Sequence, residues 1–136
     1  HLHDFDAAQV ADLIARYGPP ARAGDLPGIT SLLGGHPYLT RVALYTMVVD
    51  NLAWSDLEAA AISDDGPFYQ HLQLQYRHMI PDDKLRNAFR EIIQTNRCSD
   101  EPAGFRLMKA GLVKMLANGG YECRCELYRR YFAARL

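Results

Sequence analysis

Residues 105–136 read FRLMKAGLVKMLANGGYECRCELYRRYFAARL, and this stretch decides the fold of the C-terminal half. Gly111 ends a first helical segment, because glycine adopts the left-handed cap conformation at little cost. Asn118-Gly119-Gly120 is a tight-turn signal between two short apolar segments, which predicts a β-hairpin. The predicted order is a short helix, two strands and a final helix, at residues 105–110, 112–115, 121–125 and 126–136.

A further helix precedes this stretch. Pro81 marks a boundary, and Asp82 is a good N-cap for a helix that reaches about Thr95. A helix, a short helix and a hairpin in this order are typical of a winged helix, a helix-turn-helix variant with a β-wing. We therefore predict a winged-helix domain over residues 81–136. Its predicted core is Leu85, Phe89, Ile92, Leu107, Leu112, Val113, Leu127 and Tyr131.

The N-terminal half is predicted as a bundle of five helices over residues 1–80. Asp6 with Gln9, and Ser55 with Glu58, have the spacing of capping boxes. Pro37 suits a first helical position, because its missing N–H would be unpaired there anyway. The predicted starts are Asp6, Asp25, Pro37, Ser55 and Pro67, and the predicted core is Val10, Leu13, Ile14, Leu32, Leu39, Val42 and Met47. The fold class predicted for the whole chain is mainly α with one small hairpin.

Composition and charge place the chain among globular proteins. Its 136 residues are 49% hydrophobic and 23% charged. Residues 1–66 carry nine acidic and three basic side chains, a net charge of −6, whereas residues 67–136 carry seven acidic and twelve basic ones, a net charge of +5. An asymmetry of this size indicates two modules with different neighbours.

Targeting signals are also informative. We find no apolar run long enough to cross a bilayer and no signal peptide, so we expect a cytoplasmic protein with no membrane partner. The first residue is His1 rather than Met, from which we expect an excised piece of a longer protein.

Motifs that carry catalysis are missing from the sequence. It contains no phosphate-binding G-x-x-x-x-G-K-[ST], no dinucleotide-binding G-x-G-x-x-G and no nucleophile-bearing G-x-S-x-G. We therefore expect no catalytic residue in this chain and no enzyme activity from it alone.

Cysteine and histidine side chains could in principle bind a metal. Cys123 and Cys125 share one face of a strand and Cys98 could approach them, but C-x-C lacks the two-residue gap of zinc sites. His71 and His78 lie two helical turns apart without a third ligand. We expect no metal site, with the thiols acting as small hydrophobic groups and the histidines packed or at the surface.

Three segments together point to a known family. They are Leu33-Gly-Gly-His-Pro-Tyr-Leu39 with Arg41-Val-Ala-Leu-Tyr45, Lys109-Ala-Gly-Leu-Val-Lys114, and Arg124-Cys-Glu-Leu-Tyr-Arg-Arg-Tyr-Phe132. In this order they resemble the C-terminal part of the bacterial AAA-like ATPase family, which belongs with the STAND signal-transduction NTPases. The G-G-H-P-Y-L and C-E-L-Y-R-x-Y-F strings are the more specific ones, since K-A-G-L-V-K occurs in many winged helices.

The resemblance implies which part of an ATPase each half of this chain corresponds to. In that family a P-loop core comes first, a helical lid follows, and a winged helix closes the chain. Residues 1–80 would then be the lid and residues 81–136 the winged helix, with the missing N-terminal P-loop core as partner. Other protein domains or a second copy could also dock. The resemblance implies no cofactor for this piece, and ATP or ADP with Mg²⁺ in the full-length protein.

The G-G-H-P turn is the candidate nucleotide contact. Two glycines let a backbone approach a ligand closely, and the N-terminus of the following helix favours an anion. By resemblance, His36 and Pro37 face the adenine or ribose, and Arg41 reaches a phosphate. From the residues alone, a helix–helix corner with a cap glycine is the preferred interpretation of the turn. Arg41 is equally well interpreted as a surface ion-pair partner.

Basic side chains of the C-terminal half leave a second function open. The candidates for docking nucleic acid or protein are Arg106, Lys109, Lys114, Arg124, Arg129 and Arg130. The favoured hypothesis is a regulatory module that switches with nucleotide and binds other proteins. The alternative is a DNA-binding winged-helix regulator with a helical dimerisation or sensor domain, although a sequence pI of about 6.6 is low for a strong DNA binder.

Overall fold

The computed structural model describes residues 3–136. In this part of the chain 63% of the residues are helical, the α-helices number eight, and one small antiparallel hairpin lies near the C-terminus, which confirms the predicted fold class. The helices are α1 Ala7–Tyr17, α2 Leu26–Leu33, α3 Pro37–Asp50, α4 Trp54–Ala59, α5 Tyr69–Met79, α6 Asp83–Thr95, α7 Glu101–Lys109 and α8 Glu126–Arg135. The strands are β1 Val113–Met115 and β2 Tyr121–Cys123, and a 3₁₀ turn covers Ala23–Asp25.

The described residues form two compact units. The first runs to Gln70, and the second is His71–Leu136. Helix α5 crosses this division, since only its first two residues belong to the first unit. The assignment of residues 1–80 to a lid and 81–136 to a winged helix stays a prediction.

In the first unit, α1 packs against α2 and α3. The capping box at its start is present as predicted. The Gln9 N–H donates to Asp6 Oδ1 at 2.8 Å, and the Asp6 N–H donates to Gln9 Oε1 at 2.9 Å.

The core of the first unit differs from prediction at two positions. Leu13 and Val42, both predicted in the core, are only half-buried. The fully buried side chains include Val10, Ile29, Leu32, Leu33, Leu39, Leu44, Met47 and Leu57.

Two helix starts in the first unit differ from prediction. Helix α4 begins after Ala53, which makes no side-chain capping bond, so the predicted capping box of Ser55 with Glu58 is wrong. Trp54 and Leu57 are buried there, and packing of these two side chains outweighs the local capping signal. Helix α5 begins at Tyr69 rather than at Pro67.

The second unit is built on α6. Its N-cap is Asp82 as predicted, with the Leu85 N–H donating to Asp82 Oδ1 at 3.2 Å. Helix α6 packs against α7 and α8, and the ring centroids of Phe89 and Phe132 lie 4.9 Å apart. Leu85, predicted in the core, is only half-buried.

Helix α7 is longer than predicted. It begins at Glu101 instead of Phe105, because Asp100 is its N-cap and accepts from the Ala103 N–H at 3.1 Å. The hairpin that follows has Lys114 opposite Glu122 in its register. Strand β2 ends at Cys123, two residues before the predicted end.

Candidate functional site

The Gly34–Pro37 turn is tightly built. Gly34 (φ 58°, ψ 25°) caps α2, and Gly35 follows with φ 72°. A Cβ on Gly35 would lie 2.1 Å from the carbonyl oxygen of Phe5, and the Phe5 N–H donates to the Gly35 carbonyl at 2.7 Å. The close approach that this glycine permits is therefore made by the chain's own Phe5.

His36 and Pro37, at the end of this turn, are both buried. His36 is the N-cap of α3, and its Nδ1 accepts from the Leu39 N–H at 3.4 Å. Only 9% of His36 is exposed, and Pro37 is buried at the first helical position. A nucleotide could reach either side chain only after the groups that cover it had moved. Their predicted contact with adenine or ribose stays a prediction.

Arg41 has a different environment. It is exposed one turn further along α3, and its guanidinium carbon lies 5.4 Å from the centroid of the Phe5 ring. This distance is that of a cation–π contact. Of the three residues predicted to contact the nucleotide, Arg41 is the exposed one, and its positive charge is accessible to a phosphate.

Helix α3 carries a surface that the sequence analysis missed. Tyr38 and Tyr45 are 55% and 63% exposed, and they share one side of the helix with Arg41, Val48 and Val49. We call these five residues the outer face of α3. The opposite side is buried and also apolar, at Leu39, Ala43, Leu44 and Met47. A helix that is apolar all round is usually covered on all sides. The signal was present in the sequence as a second apolar stripe at helical spacing.

Basic side chains of the second unit are partly neutralised. Arg106 Nη1 lies 2.9 Å from Asp82 Oδ2, and Lys114 Nζ lies 3.2 Å from Glu122 Oε1. Arg129 pairs with Glu126 in the same helix. The other three candidates have different settings: Lys109 lies over the Phe105 ring, Arg124 is half-buried, and Arg130 is exposed. At least half of the predicted docking residues therefore already have a carboxylate partner.

The histidines and cysteines of the second unit have different surroundings. His71 Nε2 lies 2.7 Å from Tyr128 Oη, whereas His78 is exposed. Burial raises the pKa of the Cys123 thiol to about 12, and burial also raises the pKa of Cys98. Both thiols are therefore protonated near neutral pH. Within residues 3–136, no group of three or more His, Cys, Asp or Glu side chains has a metal-binding arrangement.

Among the described residues, none of the helices combines the length and the apolar character that crossing a bilayer requires.

Comparison with known proteins identifies the class. A family model described as AAA-like domain matches residues 1–134, so the chain belongs to the AAA-like domain family. This family indicates a nucleotide-related, ATPase-type module. Searches of curated proteins and of solved structures found no match.

Proposed function

We propose that this chain is the helical lid and winged helix of a nucleotide-switched, STAND-type signalling ATPase, and that it works with a P-loop core. The observation that carries the proposal is the outer face of α3. In a chain of the AAA-like family, this face is an apolar surface on the very helix that starts at the G-G-H-P turn. A core docked on it would bury Tyr45 and Val49.

Arg41 is the charged member of the outer face. We infer that it binds a phosphate of the nucleotide held by the core, because its guanidinium is exposed and forms bidentate bonds to phosphate well. ATP or ADP with Mg²⁺ would supply the negative charge that attracts it. The buried His36 and Pro37 would act by holding the first turn of α3, and with it Arg41, in position. We assign the hydrolytic chemistry to the core and none of it to this chain.

The second unit is proposed as the winged helix. Its order of α6, α7, hairpin and α8 is the order of that domain. We favour protein docking over DNA binding, because Arg106, Lys114 and Arg129 have carboxylate partners and offer less positive charge to phosphates. Nucleotide state would then shift this module between closed and open arrangements with the core.

The outer face can be tested in the intact protein that contains the P-loop core. Tyr45→Glu places a charge in the proposed interface and should weaken retention of a fluorescent ATP analogue by about tenfold. Ser55→Glu is the matched control, because Ser55 is an exposed residue of α4 in the same unit. Wild-type retention in the Tyr45 variant would rule out docking through this face.

The DNA alternative has its own test. It predicts binding to duplex DNA that weakens steeply with salt and is lost in the double variant Arg106→Gln, Lys109→Gln. Our proposal predicts no binding beyond that to an acidic polymer of equal charge.

A further inference from the structure

One polar contact inside the second unit serves none of the roles above. His71 lies at the start of α5, half-buried, with its Nε2 2.7 Å from the hydroxyl of Tyr128 on α8. The two rings are nearly parallel, with an interplanar angle of 15° and centroids 5.9 Å apart. Tyr128 is only 1% exposed. The pair therefore fastens the first turn of α5 to the last helix of the chain.

Two of the groups that act on His71 come from outside α5. Tyr128 reaches it from α8, and Arg124 acts on it from the segment that joins β2 to α8. The backbone of Arg124 is held in place, because its amide N–H donates to the Leu112 carbonyl at 3.0 Å. Its Nη1 also fills the space beside Gly111, where a Cβ would lie 3.1 Å away. On α5 itself, Arg77 and His78 lie in the last turn, at the opposite end of the helix from His71.

We propose that His71 and Tyr128 form a pH-sensitive latch, which holds the first turn of α5 on α8 while His71 is neutral and loosens it when His71 gains a proton. The inference does not depend on the proposed function. It concerns α5 because this helix is the covalent connection between the two units, with Tyr69 and Gln70 in one and His71 onward in the other.

The chemistry of the pair explains the switch. A neutral imidazole can accept from the tyrosine hydroxyl or donate to it, depending on its tautomer. A second ring proton makes Nε2 a donor only and adds a positive charge that is poorly hydrated and faces Arg124. The added proton therefore rules out the arrangement in which the imidazole accepts from the Tyr128 hydroxyl. In the arrangement in which the imidazole donates, its new positive charge is repelled by Arg124.

The direction of the pH effect follows from linkage. Burial first, and then the charge of Arg124, lower the pKa of His71 below its ordinary 6.5. As the pH falls through 6.5 the unfolded or released state takes up the proton first, so the folded state loses stability. The contribution of the latch is complete above that pH and is lost on acidification down to the folded-state pKa.

The test is amide hydrogen exchange of α5 in the chain at about pH 5.5 and about pH 7.5, corrected for intrinsic rates. In the wild-type chain we expect less protection of the first turns of α5 at the lower pH. His71→Gln keeps a hydrogen-bonding side chain that does not titrate and should remove most of this difference. His78→Gln is the control and should retain the difference, because that imidazole is exposed on the same helix.

Two further measurements test the latch without the His71→Gln variant, in case that variant fails to fold. An NMR titration of wild-type His71 should give a midpoint below 6.5, and Tyr128→Phe should reduce α5 protection mainly at the higher pH, where the latch of the wild-type chain is closed. A wild-type His71 midpoint at or above 6.5 would overturn the latch. So would an unchanged pH dependence of α5 protection in His71→Gln.

Discussion

Helices α3 and α8 each bury one side, but they differ in the residues on the side that faces solvent. Helix α8 buries Leu127, Tyr131 and Phe132 on one side and turns Arg129 and Arg130 to solvent on the other. Helix α3 buries one side equally well but exposes two tyrosines and two valines on the other. The apolar side chains of α8 are thus buried within this chain, whereas α3 also has an exposed apolar surface suited to a partner.

The largest effect is expected from truncation of the α8 core. Phe132 is fully buried and contacts the rings of Phe89, Tyr128 and Tyr131. Phe132→Ala should lower the free energy of unfolding by about 3–5 kcal/mol, measured by urea denaturation monitored by circular dichroism. A loss below about 1 kcal/mol would show that α8 is not the centre of the second core.

The next largest effect is expected at the turn before α3. Gly35→Ala puts a Cβ against the Phe5 carbonyl and should cost about 2–3 kcal/mol, because both the backbone angle and the contact are unfavourable. Gly119→Ala is the control, since Gly119 also has a positive φ, of 86°, with nothing within 4 Å of its Cβ. Its loss should be only about 1 kcal/mol. Equal losses in the two variants would remove the role given to Phe5.

A smaller effect is expected at the cap of α1. Asp6→Ala removes the acceptor of the Gln9 N–H and should destabilise the first unit by about 1 kcal/mol. Thermal unfolding followed by circular dichroism measures this loss. Asp6→Asn is the control, because an asparagine caps a helix about as well. If Asp6→Asn lost as much as Asp6→Ala, the cap would not be the cause.

The smallest effect on stability is expected on the outer face of α3. Tyr45→Ala should change the free energy of unfolding of this chain by less than about 0.5 kcal/mol, because the side chain is 63% exposed. The same urea denaturation used for Phe132→Ala gives the direct contrast between α3 and α8. A large loss would mean that Tyr45 supports the fold, and the outer face would then have no need of a partner.

Local signals in the sequence predicted part of this fold. The capping residues Asp6 and Asp82 gave the starts of α1 and α6, because a cap depends on residues within one turn. The start of α4 could not be predicted in this way, since burial of Trp54 decides it. The start of α7, which Asp100 caps, lies four residues before the predicted start at Phe105.

The candidate site was less predictable than the fold. The G-G-H-P string indicated where α3 begins, but Phe5 covers Gly35 from 30 positions earlier in the sequence, so no local pattern reports it. His71 and Tyr128 are separated by 57 positions, and only the packed structure brings them together. The outer face of α3 was visible as a second apolar stripe, yet exposure of that stripe depends on which side the rest of the unit covers.

The most direct test of the central claim is hydroxyl-radical footprinting of Tyr38 and Tyr45 in the intact protein, with and without ATP. If the outer face of α3 docks on the ATPase core, both tyrosines should be oxidised several-fold more slowly in the nucleotide-bound protein than free exposed tyrosines are. Tyr17 and Tyr69, which are half-buried and lie outside the outer face, serve as internal references for the oxidation rate. Oxidation of Tyr38 and Tyr45 at the rate of free tyrosine in both states would contradict the account.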